Sequence, residues 1–225
     1  PLRYLGGEPG CATKEWNTIP ARICIAFPDA YEIGMSHLGL RILYDDLNSH
    51  EIIGAERVFA PWPDMEQLLE RDNLPLISLE SQTPLNEFHV IGFSLQFELN
   101  YTNILTILHL GRIPVWSAER DDSMPLVIAG GPVATHAEPI APFIDAFLIG
   151  DGEELLPWFM NEDLKMRQGG LSRTERLEAF NAHPSIYVPA LYETEYDSES
   201  GMRVVTRQVL ENYGTVSLSK VSAMS

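Results

Sequence analysis

The chain has 225 residues, enough for one substantial domain with an appendage. Its 45% hydrophobic and 21% charged residues are the proportions of a folded globular protein, and no run approaches the roughly 18 uninterrupted apolar residues of a membrane span. Against 32 Asp and Glu there are 15 Lys and Arg, and the net charge of −17 repels a phosphate backbone, which argues against nucleic acid as a direct ligand.

Two cysteines, Cys11 and Cys24, are too few for a disulfide framework and too far apart for a CxxC pair, so a reducing cytoplasm is the expected compartment. The start has neither a basic region nor an apolar core, so no signal peptide is read. It also lacks an initiator Met, and a piece of a longer protein is expected. Residues 1–20, rich in Gly and Pro and without a period, read as an irregular arm.

Ala21 to Phe27 is a nearly continuous apolar run ended by Pro28, the pattern of a strand covered on both faces. Leu40, Leu43, Tyr44 and Leu47 then form one helix face, with Ser36 as the expected N-cap. A short strand is expected around Val58 and Phe59, and after Pro61-Trp62-Pro63 a helix with Met65, Leu68 and Leu69 on one face. His89 to Leu95 is the next buried strand, followed by a helix carrying Tyr101, Ile104, Leu105 and Leu108.

Leu126 to Ala129 and Ala146 to Ile149 are two more short apolar runs, each running into glycine. Asp151 and Glu154 then have the spacing of a capping box that opens a helix through Leu155, Leu156 and Phe159. Strands alternating with helices over residues 21–168 imply an α/β fold with a doubly wound parallel five-stranded sheet, in the flavodoxin-like order 2-1-3-4-5. Residues 169–216 read as a further helix from Ser172 to Ala182 and a hairpin from Tyr192 to Leu210 turning at DSESG, and residues 217–225 as a linker.

Ligands of such sheets sit beyond the carboxyl ends of the strands. Four clusters fall there. The first is the loop Pro28 to Gly39, with Asp29, Tyr31, Glu32, Gly34, Ser36 and His37; the second is Gly92-Phe-Ser94 with Gln96, Glu98 and Asn100. The third is Gly130-Gly131 and the fourth Gly150-Asp-Gly-Glu-Glu154. Ordinary loop chemistry covers the same residues one at a time, with Asp29 and Ser36 as caps and the glycines as turns. Their coincidence after successive strands favours a shared site. No GxGxxG, Walker loop or GxSxG elbow is present, and the six histidines lack metal-ligand spacing.

The runs FPDAYEIGMSHLGLRILYDDL, VFAPWPDMEQLL, VIGFSLQFELNYTNIL, LVIAGGPVATHAEPIAPFIDAFLIGDGEELL and SIYVPALYE together resemble the N-terminal region of large radical S-adenosylmethionine (SAM) proteins of the iron-sulfur oxidoreductase type. In that family a cobalamin-binding-like domain precedes a catalytic barrel. Cobalamin domains of the mutase type carry D-x-H-x-x-G, S-x-L and G-G after successive strands. Here Asp29-Ala-Tyr31-Glu-Ile-Gly34 puts Tyr31 in the place of the cobalt-ligating His, Ser94 keeps the serine while Gln96 replaces the leucine, and Gly130-Gly131 matches in full.

The resemblance implies an accessory domain that presents its strand-end loops to a radical SAM barrel in the same polypeptide. Cobalamin would be held without a His ligand, through Asp29, Tyr31, Glu32, Gly34, Ser36, His37, Ser94, Gly130, Gly131 and Gly150. The alternative is a scaffold that keeps the fold without the cofactor. The [4Fe-4S] cluster and SAM belong to the parent protein only, because two cysteines cannot supply three thiolates. No catalytic or metal-ligating residue is expected within the chain, and no membrane partner.

Overall fold

The computed structural model describes residues 2–8, 10–12, 14, 15, 18–201, 203–208, 216–218 and 220. Strand β1 (Ala21–Phe27) leads through α1 (Tyr31–Ser36) and α2 (Leu38–Ser49) to β2 (Ile53–Phe59) and α3 (Pro63–Arg71). Then come β3 (Val90–Ser94), α4 (Tyr101–Leu110), β4 (Leu126–Gly130), β5 (Ala146–Leu148) and α5 (Gly152–Gln168). After α6 (Arg173–Asn181), β6 (Ile186–Tyr187) returns to the sheet, while β7 (Tyr192–Tyr196) and β8 (Arg203–Gln208) form a separate hairpin.

The sheet order is β2-β1-β3-β4-β5-β6, with the first five strands parallel and β6 antiparallel on β5. The expected doubly wound fold is present, extended by a sixth strand. A two-residue strand has no periodicity to read, and β6 exists because Phe147 and Leu148 of β5 offer it an edge.

Alternation along β1 shows why the sheet needs two layers of helix. Ile23, Ile25 and Phe27 join a core with Leu40, Tyr44 and Leu47 of α2 and Leu155, Leu156 and Phe159 of α5. Cys24 and Ala26 face the other way, against Leu69 of α3 and Ile104, Ile107 and Leu108 of α4. Both faces of one strand are therefore buried, the arrangement that demands parallel crossovers.

Three local expectations are corrected. The cap of α2 is His37, whose Nδ1 accepts the Leu40 N–H at 3.1 Å. Ser36 instead ends the separate turn α1, where its hydroxyl donates to the Ile33 carbonyl. Asp151 occupies the N-cap of α5 but makes no capping hydrogen bond, and the reciprocal box forms at Ser172 and Glu175 on α6. Strand β2 is seven buried residues long, although only its end was expected, because Glu56 and Arg57 in its middle read as solvent-facing.

Those charges are buried because they are matched. Arg57 Nε donates to Glu80 Oε1 and its backbone N–H to Glu80 Oε2, both at 2.7 Å, while its guanidinium lies 4.2 Å from the centre of the Tyr44 ring. Glu56 Oε2 accepts from the hydroxyl and the backbone N–H of Ser81. Unmatched, either charge would cost several kcal/mol.

The hairpin lies within the span expected for it. Its turn is organised by Asp197, whose Oδ1 accepts the Ser200 and Glu199 N–H groups. Met202, Val209 and Leu210, also assigned to the hairpin, lie outside the described residues, as do 219 and 221–225 of the expected linker.

At the opposite end of the sheet from the candidate site, His89 Nδ1 accepts the Arg22 N–H at 3.1 Å. Burial, then the charges of Arg167, Arg22 and Arg176, push its pKa down from 6.5 to about 3. Between those values the unfolded chain binds a proton that the folded chain does not, so stability falls as pH falls. Thermal melts from about pH 7 to 4 are expected to show this loss, and His89→Gln to flatten the slope relative to wild type. Equal slopes in the two proteins would contradict the assignment.

Candidate functional site

The chain crosses from β1 to β2 on one side and returns to β3 on the other, which leaves a crevice at the carboxyl ends of β1 and β3. A cavity of about 420 Å³ opens there. Ile25, Gly92, Phe93, Ile128, Ala129 and Leu148 form its strand-end floor. Gly92 lies in this floor, where an added Cβ would come 3.3 Å from Ile23 Cδ1, closer than ordinary van der Waals contact.

Polar groups ring the opening. His37, Ser94, Gln96 and Thr135 line it from the loops after β1, β3 and β4, and Asp151 and Glu153 from the start of α5. Ser94 Oγ accepts the Gln96 side-chain amide at 3.0 Å, so this serine does not cap the following helix. His37 Nδ1 is committed to the Leu40 N–H and carries no proton in this geometry. The proton of the neutral ring then lies on Nε2, which donates and does not ligate a metal.

Five of the ten sequence-predicted site residues meet here: His37, Ser94, Gly130, Gly131 and Gly150. The other five do not line the cavity. Tyr31 donates its hydroxyl to Glu8 Oε1 at 2.8 Å and sets its ring edge-on to Phe59. Burial, reinforced by that hydrogen bond, pushes its pKa up to about 12. Glu32 pairs with Arg3 at 2.7 Å. Asp29 accepts from the Ala30 N–H and the Asn100 amide. Ser36 is exposed, and Gly34 is buried under Phe59, whose ring atoms would lie 2.2 Å from an added Cβ.

The N-terminal arm explains the division. Besides the Glu8 and Arg3 contacts, Ala12 N–H donates to the Tyr44 hydroxyl, Lys14 donates to the His50 and Ile53 carbonyls, and Arg57 donates to the Cys11 sulfur. The arm is therefore strapped over α1, α2 and the edge strand β2, and it engages the front half of the first motif. Nothing in an aperiodic Gly- and Pro-rich stretch foretold this.

Sequence reasoning missed Thr135 and Leu218 as cavity residues and assigned Asp151 to capping. Thr135 carried only the signal of its strand-end loop. Leu218 comes from residues 216–218, where Ser217 N–H donates to the Pro184 carbonyl, and no local pattern ties that segment to the cavity.

Residues 39–189 match the family model of radical SAM proteins, N-terminal. The chain belongs to this family. An uncharacterized protein of Methanocaldococcus jannaschii is 24% identical over 132 residues, which cover 58% of this chain. The aligned part spans only 24% of that relative's own length. Among solved structures, the radical SAM methyltransferase TsrM from Kitasatospora setae, described with tryptophan substrate and a SAM analog bound, overlaps 79% of this chain and 29% of its own, at 13% identity and a TM-score of 0.45.

Within this radical SAM N-terminal domain, cobalamin is the group that the sequence resemblance implies, and the residues present fit it poorly. Tyr31, in the ligand's place, is held by Glu8 and keeps its proton until far above neutral pH. His37 presents a donor. Gly34 and Gly131 are required by packing: an added Cβ would meet the Phe59 ring at the first and the Leu95 carbonyl oxygen, 2.6 Å away, at the second. At about 420 Å³ the cavity is near the low end of the roughly 300 to 1,000 Å³ of small-molecule sites. The tail of a corrinoid carries a phosphodiester, and among the described residues no Lys or Arg lines the cavity.

Two further facts bear on chemistry. Among the described residues no group of three or more His, Cys, Asp or Glu is arranged to hold a metal ion. Both cysteines are poor nucleophiles, since burial raises the Cys11 thiol and raises the fully buried Cys24 well above its ordinary range. Among the described residues no helix is long and apolar enough to cross a membrane.

Proposed function

We propose that this chain is the accessory N-terminal domain of a radical SAM enzyme, turning its strand-end loops towards the catalytic barrel of the same polypeptide and holding a small molecule at the boundary. The observation that carries this reading is the cavity on which the ends of β1, β3, β4 and β5 converge, at the topological switch point of the sheet. Among the described residues no nucleophile is paired with a base at that cavity. The radical chemistry, with its cluster and SAM, is therefore assigned to the remainder of the protein.

Exposed apolar side chains support the boundary. Leu38 at the start of α2 and Phe97 and Leu99 after β3 are exposed by 67%, 63% and 91%, and are neighbours in sequence of the cavity-lining His37, Gly39 and Gln96. The segments after β1 and β3 are tied together by Asn100 on Asp29 and by Asn103 on the Pro28 carbonyl. Large apolar groups left in water on one face are commonly a surface for another domain.

On the cofactor, the reading is that this domain keeps the cobalamin-type fold while its cavity serves a different, smaller ligand. The loss of the cobalt ligand and the recruitment of Tyr31 by the arm both favour it.

Hydrogen-deuterium exchange of this chain and of the full polypeptide tests the arrangement. Amides of residues 95–100 and 131–136 are expected to exchange about tenfold more slowly in the full polypeptide, with α6 unchanged. Identical exchange of the two loops in both proteins would refute the contact.

A further inference from the structure

We propose that a second cavity, roofed by the N-terminal arm, binds an uncharged single-ring molecule that carries one hydrogen-bond acceptor.

The space arises where the chain turns back after α3. Asn73, at φ +51°, makes the turn, and Pro75 prevents the helix from resuming. The Leu76 N–H then donates to the Leu110 carbonyl at the end of α4, and the Leu79 N–H to the Arg57 carbonyl of β2, both at 2.8 Å. With its backbone committed to α4 and β2, this segment stands off α3, and a cavity of about 260 Å³ remains between them and the end of β2. It shares no lining residue with the strand-end cavity.

Arg3 and Tyr4 of the arm close it. The Trp62 N–H donates to the Tyr4 hydroxyl at 3.1 Å, and the Arg3 guanidinium lies 4.9 Å from the centre of the Trp62 ring. Gly6, at φ +69°, packs so closely that an added Cβ would lie 2.2 Å from the Leu79 carbonyl oxygen. The roof is therefore tied to both sides of the cavity.

The walls set the size and apolarity of the ligand. Val58, Met65, Leu69, Leu74 and Leu76 present hydrocarbon. A cavity of about 150 Å³ lined in this way stays dry and admits benzene. About 260 Å³ suits one ring with a short substituent, just below the roughly 300 Å³ at which drug-sized sites begin.

The polar groups set the rest. Arg3 is the one charged side chain lining the cavity among the described residues, and Glu32 pairs with it at 2.7 Å. A carboxylate would have to compete with Glu32, and an ammonium would meet the guanidinium, so an uncharged ligand is favoured. Ser78 is engaged, its Oγ accepting the Thr83 N–H at 3.1 Å. The Tyr4 hydroxyl differs: it accepts from Trp62, and its own hydrogen has no acceptor among the described residues. One donor in a hydrocarbon enclosure calls for one carbonyl or ether oxygen on the ligand.

Fluorine NMR titration of the chain tests this with four probes: 4-fluoroacetophenone, 1-ethyl-4-fluorobenzene, 4-fluorophenylacetate and 4-fluorophenethylamine. The ketone is expected to bind about fivefold more tightly than the hydrocarbon, the worth of one net hydrogen bond, and both charged probes about tenfold more weakly than the ketone. In Tyr4→Phe the ketone and the hydrocarbon should bind equally. Leu74→Trp, which fills the cavity from a position 56% exposed, should weaken both about tenfold or more, with circular dichroism confirming that each variant is folded.

Absence of binding by both uncharged probes would overturn the site. Unchanged binding in a folded Leu74→Trp would overturn it too, because the probes would then sit elsewhere. Equal or tighter binding of either charged probe would overturn the ligand class, and a ketone preference that survives Tyr4→Phe would overturn the role of the hydroxyl.

Discussion

Replacing Asp145 with Ala is expected to cost about 3 to 5 kcal/mol, the penalty for breaking a buried ion pair from one side. Asp145 is 3% exposed, directly before β5. One of its oxygens, Oδ2, accepts from Arg120 Nη1 at 3.0 Å, from Arg173 Nη2 and from the Val127 N–H at 2.6 Å. Arg120 also donates to the carbonyls of Pro114, Val115 and Phe143, and Arg173 to those of Met124 and Pro125.

One carboxylate therefore ties β4, the approach to β5 and the start of α6 into a unit. Burial alone lowers the proton affinity of both guanidiniums, and the Asp145 charge opposes that loss. Without it, two cations remain in the interior with only carbonyls for company. Urea denaturation followed by circular dichroism measures the change. Asp145→Asn keeps an acceptor for Val127 and should fall between wild type and Ala. A loss below about 1 kcal/mol for Ala, the range of a surface pair, would show that the network is not what holds these elements.

Gly131→Ala is expected to lower stability by on the order of 3 kcal/mol with no ligand in solution. Gly131 has φ +114°, where a side chain is strained, and its added Cβ would lie 2.6 Å from the Leu95 carbonyl oxygen and 3.0 Å from the Leu95 nitrogen. Both are backbone atoms of the neighbouring strand end, with the Leu95 N–H donating to the Gly130 carbonyl at 2.7 Å, so neither can swing aside. Gly130→Ala is the control: its Cβ would come no closer than 3.3 Å to any neighbour, and a much smaller loss is expected. If the glycine pair served a cofactor instead, both variants would fold normally and differ only in binding. Comparable melts for wild type and Gly131→Ala would favour that account.

Much of the sheet was legible because parallel strands covered on both faces are short apolar runs. ARICIAF, VIGFS and LVIAG announce themselves, and the helical stripes between them imply crossovers. The glycines and polar residues after each run marked the cavity end, and His37, Ser94, Gly130, Gly131 and Gly150 do gather there. Capping was less legible. Asp151 with Glu154 and Ser172 with Glu175 share one spacing, and only the second pair closes into a box. Which of two equivalent patterns forms depends on what the surrounding side chains already bind.

By itself the sequence determined the order and direction of the five parallel strands, the end of the sheet at which the cavity opens, and a cysteine count too low for a cluster. These are consequences of periodicity, residue type and count, which neighbours in space do not alter. Only the tertiary structure decided the use of each polar side chain. Glu56 and Arg57 lie inside because Ser81 and Glu80 arrive from residues far along the chain, and Tyr31 leaves the cavity because its hydroxyl donates to Glu8 of the arm. Asp151 and Glu153 reach the cavity because α5 begins directly after β5, whose end lines it. A buried or half-buried polar group takes whichever partner packing brings within about 3 Å, and that partner need not be near in sequence.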